Sequence, residues 1–162
     1  MGVVPSEMPS KWNYEAHKAQ AIAARSYALA NLNKRNSHGY DLKDTPQDQA
    51  YGGASSETPQ TTRAVLSTKG EVLTYDNKII PAYYHASSGG KTTSAGKVWN
   101  HDLPYIQSVD GFDWGIKKNG HGVGMSQHGA NNLANKGYSA HQILDYFYKN
   151  ITFSKLKLPQ EE

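Results

Sequence analysis

The segment Ser6-Glu7-Met8-Pro9 precedes an alanine-rich run, Glu15-Ala16-His17-Lys18-Ala19-Gln20-Ala21-Ile22-Ala23-Ala24-Arg25. One carboxylate therefore stands ahead of a helix that carries two cations. At about 100° per residue, Lys18, Ile22, Arg25, Leu29 and Leu32 share a face roughly 80° wide. Ile22, Leu29 and Leu32 suit burial there. A buried cation must be paired or serve a site, so this face is expected to line a cleft. Glu7 lies between Val3-Val4-Pro5 and Met8-Pro9. Apolar neighbours raise a carboxyl pKa towards the range of a general acid, whereas Lys18 and Arg25 would lower it. The plainer alternative is a structural acid paired with Lys11 or Lys18.

A second cluster is Gly120-His121-Gly122-Val123-Gly124-Met125-Ser126-Gln127-His128-Gly129-Ala130. Glycines let backbone approach a ligand, and helix N-terminal N–H groups bind anions or carbonyls. His121 or His128 suits an acid, base or ligand role. A tight loop–helix junction with hydrogen-bonded histidines fits the same residues equally well. A third cluster, Tyr83-Tyr84-His85-Ala86-Ser87-Ser88-Gly89-Gly90-Lys91-Thr92, has neither a nucleophile elbow nor a phosphate loop. Polar contact with sugar hydroxyls or a peptide suits it, as does a plain hairpin-exit loop.

Seven histidines raise the question of a metal. His-Glu-x-x-His is absent, and His17, His38, His101 and His141 are scattered and expected to be exposed. His85, His121 and His128 would have to meet in space, so no metal is expected. Trp99, Tyr105, Phe112 and Trp114 suit a sugar-stacking platform or the core, and the core is favoured.

The elements that must position these residues follow from periodicity. Residues 13–34 read as a long helix capped by Asn13 or Ser10, with Glu15 in its first turn. A polar loop spans 40–60, and a short helix follows near 58–68. Glu71–Tyr75 and Lys78–Tyr84 read as strands joined by an Asp76-Asn77 turn. Ser126 caps a helix to about Asn135 closed by Gly137, and Ser139 caps a last helix to about Lys149. The tail from Ser154 is expected to be loose. The sum is one α+β domain over 1–162, with a long N-terminal helix, a small antiparallel sheet and C-terminal helices.

The chain has 162 residues, a net charge of +3 and no cysteine. Its mean hydropathy is −0.72 and its pI about 8.9. That size suits one core. The mild charge permits an anionic polymer but, with no dense basic stripe, does not indicate nucleic acid. Lack of cysteine excludes disulfides and thiolate zinc. No apolar stretch is long enough to span a membrane. A motif so close to Met1-Gly2 reads as part of a longer protein whose anchor lies elsewhere.

In order and spacing, the three motif segments resemble the SpoIID/LytB family over residues 3 to about 153. The resemblance implies a peptidoglycan lytic transglycosylase that acts during engulfment in sporulation. Such an enzyme cleaves the MurNAc-β-1,4-GlcNAc bond and leaves 1,6-anhydro-MurNAc ends. The family acid maps onto Glu7, and the functionally important cations onto Lys18 and Arg25. His85, Ser88, His121, Gln127 and His128 are then expected substrate contacts. The sugar's own C6 hydroxyl replaces the second carboxylate of ordinary glycosidases. The implied partners are glycan strands stripped of stem peptides, a cell-wall amidase and membrane-anchored sporulation proteins. The full-length protein would be extracytoplasmic and membrane-anchored. Some relatives hold zinc in a Cys-Asp-x-Thr-x-Cys-like stretch. Here Lys43-Asp44-Thr45-Pro46-Gln47-Asp48 has neither Cys nor His, so no zinc and no cofactor are expected.

Three rivals remain at this level. One is a non-catalytic glycan-binding module that stimulates an amidase. Another is a metal-dependent hydrolase using His85, His121 and His128. The third is an ordinary glycosidase in which Glu57, Asp110 or Asp113 stands beside Glu7.

Overall fold

A computed structural model describes residue 9 and residues 11–35, 59–94, 96 and 103–156. Glu7, Glu57 and the 43–48 stretch lie outside the described residues, as do His38, Trp99 and His101. In chain order the elements are α1 (Tyr14–Arg35), α2 (Pro59–Ser67), β1 (Glu71–Tyr75), β2 (Lys78–Ile79), β3 (Tyr84–His85), β4 (Met125–Ser126), α3 (Gln127–Asn135), α4 (Ala140–Phe147) and β5 (Thr152–Lys155). The mixed α+β character and the long N-terminal helix agree with the sequence reading.

Helix α1 is the axis of the fold. The Asn13 side chain accepts from the Glu15 amide at 2.9 Å and so caps it. Alanines 16, 19, 21 and 23 are fully buried, which lets neighbouring backbone approach on several sides. Ile22 and Ala23 pack into one core with Leu73, Ile106, Met125, Leu133, Ile143 and Phe147. Ser26 donates to the Ile22 carbonyl at 2.8 Å and accepts from the Leu73 amide at 2.9 Å, pinning β1 to the helix.

β1 is central in an antiparallel sheet ordered β2-β1-β5. Asp76 and Asn77 both adopt positive φ, +53° and +64°, as a two-residue hairpin turn requires. The second strand is shorter than expected. Its last bond to β1 runs from the Ile80 amide to the Leu73 carbonyl at 3.0 Å, and the Leu73 amide that would return it is taken by Ser26. Tyr84–His85 instead pairs in parallel with Met125–Ser126, which joins the second and third motif segments. Of the tail from Ser154, residues 157–162 lie outside the described residues, and Ser154 and Lys155 are in a strand. Thr152–Lys155 forms β5 against β1, with Ser154 opposite Val72.

Ser126 caps α3 by accepting from the Gly129 amide at 3.0 Å. Ser139 and Gln142 form a reciprocal capping box at α4. Gly137, at φ +101°, ends the turn between these helices. Among the described residues, no helix is long and apolar enough to cross a membrane.

Candidate functional site

The structure divides the expected site residues between opposite faces of α1. Positions 18 and 25 point one way and positions 20 and 27 the other, about 200° apart. On the first face Arg25 is only 2% exposed. Its guanidinium donates to the carbonyls of Thr68 at 2.6 Å and Glu71 at 2.9 Å. Arg25 therefore fastens α1 to the α2–β1 corner, rather than facing an open cleft as expected. Lys18 stays half-buried, 2.9 Å from Glu15, in a small pocket of about 180 Å³ shared with Glu71 and His141. Burial raises the Glu15 carboxyl. Bonds from Lys18 and the Ala140 amide outweigh that and hold it below its ordinary value. On the far side of this pocket, His141 meets Glu71 at 2.6 Å.

The opposite face of α1 meets the glycine-rich segments. Gln20 accepts from the Gln127 side chain at 3.1 Å, and both residues are buried. Gln127, expected at the surface of a cleft, is thus part of the packing between α1 and α3. Trp12, just before α1, meets His128 edge-on with ring centroids 4.7 Å apart. Gln60 donates to the Trp12 carbonyl at 2.7 Å. His17 contradicts the expectation of exposure, being wholly buried. Its ring bonds the Pro9 carbonyl at 2.9 Å and the Gln60 amide at 3.0 Å. Burial lowers its pKa, and the donation to Pro9 only partly offsets this. Two residues after Glu7, the chain is therefore anchored at Pro9 beside Trp12 and His128.

Asp113 organises the loops at the ends of β3 and β4. It is 1% exposed and accepts from the Ser88 amide, the Ser88 hydroxyl at 2.7 Å, the Gly90 amide at 2.8 Å and the Ser126 hydroxyl at 2.6 Å. Burial pushes its pKa up, but these donors favour the anion more strongly and hold it below the ordinary value. The sequence reading named Asp113 only as a rival second carboxylate. The missed signal was an acid set between Phe112 and Trp114, where a charge must be paired to be buried.

His85 is buried beside this network. Its Nδ1 lies 3.1 Å from the Val123 carbonyl, which can only accept, so Nδ1 carries the proton and Nε2 is the bare acceptor. Burial, first, lowers its pKa to about 4, so the ring is neutral at neutral pH. Among the described residues, its Nε2 and the Gln20 Nε2 are buried without a hydrogen-bond partner. The His121 ring is 5.8 Å from that of His85 and accepts from the Val123 amide at 2.9 Å. Burial and then Lys118 lower its pKa. With Tyr27, Tyr83 and Tyr84, His121 lines a recess of about 200 Å³. His128 lies apart, on Trp12. Among the described residues, no group of three or more His, Asp or Glu is arranged to hold a metal ion.

Close backbone approach explains the glycine spacing. A Cβ on Gly124, at φ +81°, would sit 2.0 Å from the Tyr83 carbonyl oxygen. The neutral His85 ring, His121 and the Tyr27, Tyr83 and Tyr84 rings thus stand beside two glycine-rich loops.

Comparison with known proteins adds to this picture. The family model SpoIID, described as "Stage II sporulation protein", matches residues 1–75. Stage II sporulation protein D of Bacillus amyloliquefaciens is 27% identical over 252 residues, covering 96% of this chain and 73% of that protein. Its counterpart in Bacillus subtilis (strain 168) is 28% identical over 253 residues, with the same two coverages. The "Amidase enhancer" of Bacillus subtilis (strain 168) is 42% identical over 105 residues, 65% of this chain. The chain spans only 14% of that relative's length.

Proposed function

We propose that this chain, a member of the SpoIID family, cleaves peptidoglycan glycan strands by lytic transglycosylation during the cell-wall remodelling of sporulation. One observation carries the reading. The segment that follows Glu7 packs against the third motif through Trp12 and His128, while Asp113 and the β3–β4 pair join the second motif to the third. The second and third motifs thus meet each other, and the segment between Glu7 and α1 meets the third.

In this reading Glu7 protonates the glycosidic oxygen as the bond from C1 to that oxygen breaks. The resulting carboxylate takes the proton of the same sugar's C6 hydroxyl, whose oxygen bonds C1. The 1,6-anhydro ring closes and no water is consumed, so one carboxyl group serves as acid and then base. His121 and His128, both half-buried, contribute polar and aromatic surface to the strand, and the buried Ser88 and His85 hold the loops behind them. Lys18, the more exposed of the two cations, is the candidate for a strand carboxylate. Arg25 and Gln127 act by positioning α1. The substrate is a peptide-free strand produced by an amidase partner, and the full-length protein works outside the cytoplasm on a membrane anchor.

The name of the amidase-enhancer relative favours a second reading, a glycan-binding module that stimulates an amidase without turnover. Glu7→Gln separates the two. The transglycosylase predicts that the variant still binds peptide-free strands and no longer shortens them. The module predicts that neither protein shortens strands and that both stimulate the amidase equally.

A further inference from the structure

Trp114 is the most exposed large apolar side chain among the described residues, at 67%. It is nevertheless fixed. Its indole N–H donates to the two oxygens of Asp110 at 3.1 and 3.2 Å. Its six-membered ring lies so close over Gly90 that a Cβ there would fall 2.2 Å from Cε3. The turn that carries it is tied from several directions. Phe112 holds an unfavourable φ of +55°. The Phe112 amide donates to Asp110 at 2.8 Å, and Asn132 donates to the Phe112 carbonyl at 2.7 Å. The Gly111 amide donates to the Gly90 carbonyl at 3.0 Å.

Holding a large ring in water on a strained turn lowers stability, and strain of this kind gathers at functional sites. Leaving the ring in place removes the ordering cost when a ligand lands on it. Bonding to a carboxylate enriches the indole in electrons, which favours contact with weakly positive C–H groups. A pyranose with equatorial substituents presents such a flat C–H face. Lys117 and Lys118, three and four residues on in the chain, are exposed, so among the described residues the neighbouring sequence adds charge rather than a broad apolar patch for a protein.

We infer that Trp114 is a stacking platform for a pyranose ring of the glycan strand, in a subsite next to the Ser88–Gly90 loop. The inference rests on the glycan reading above but not on Glu7 as the acid. The test uses β-1,4-linked N-acetylglucosamine tetramer and hexamer, titrated calorimetrically into the full chain in the Glu7→Gln background. Trp114→Ala is expected to weaken binding about tenfold, and Trp114→Phe to recover most of it. Far-UV circular dichroism should stay unchanged, because the ring is 67% exposed and its bonds to Asp110 lie at the surface. Equal affinity with and without Trp114 overturns the platform, as does lack of binding by the parent. Loss of amidase binding with unchanged oligosaccharide affinity also overturns it, in favour of a protein dock. A parent that binds through Trp114 but yields no anhydro ends leaves the platform standing and overturns only the cleavage reading.

Discussion

The Ser126 hydroxyl donates to Asp113 at 2.6 Å and on its other side accepts the Gly129 amide at 3.0 Å. One hydroxyl thus links the cap of α3 to the buried anion that holds Ser88 and Gly90. In Asp113→Asn, an amide would replace one oxygen and point N–H groups at donors. The variant should lose about 1–3 kcal/mol at pH 7. The folded pKa of Asp113 is lowered, so its contribution is present above the ordinary carboxylate value and is lost as pH falls through the folded value. Urea melts of parent and variant should therefore differ most near neutrality and converge as the pH falls below the folded value. A gap that stays constant with pH would contradict this role.

His85 should titrate far below an ordinary histidine. Its folded pKa is about 4 against 6.5, so the unfolded chain takes up the proton first as pH falls. His85 then contributes stability above about 6.5 that is lost as pH falls towards 4. Imidazole nitrogen NMR should report a neutral ring protonated on Nδ1 at pH 6. A midpoint near 6.5 would refute the buried, neutral assignment.

Arg25→Lys keeps the charge and discards the fork that reaches both the Thr68 and Glu71 carbonyls. The expected loss is about 1–3 kcal/mol of stability, with glycan affinity per folded molecule unchanged. An unchanged melting midpoint with weakened glycan binding would return Arg25 to the cleft-lining role that its helical position suggests.

Gly129→Ala would bring a Cβ to 1.8 Å from the Gly111 carbonyl oxygen, backbone that cannot swing aside. Overpacking there should cost about 1–3 kcal/mol or more and disturb the Asp113 turn. Gly137→Ala is the control, since nothing lies within 4 Å of its Cβ and only the strain of φ +101° remains. If the two variants melt alike, the close contact between α3 and the turn is not what fixes glycine at 129.

Much of this framework was legible in the sequence because the signals are local. Alanine density marked α1, Ser126 and Ser139 marked two caps, and Asp76-Asn77 marked the hairpin. The misreadings concern partners distant in the chain. Periodicity put Arg25 on an apolar face but could not show that Thr68 and Glu71 supply carbonyls to it. The buried His17 depends on Pro9 and Gln60, and Gln127 on Gln20, a hundred residues away. The parallel pairing of Tyr84–His85 and the edge strand Thr152–Lys155 are likewise set by tertiary contacts too short to register as patterns. Asp113 escaped notice as an organiser because its four donors lie on two other segments.

The central claim is tested most directly by the products made from purified peptide-free glycan strands, analysed by mass spectrometry for the parent and for Glu7→Gln. The account predicts fragments lacking one water and ending in 1,6-anhydro-MurNAc from the parent, and intact strands from the variant. Reducing ends, or anhydro ends released equally by both proteins, would contradict it.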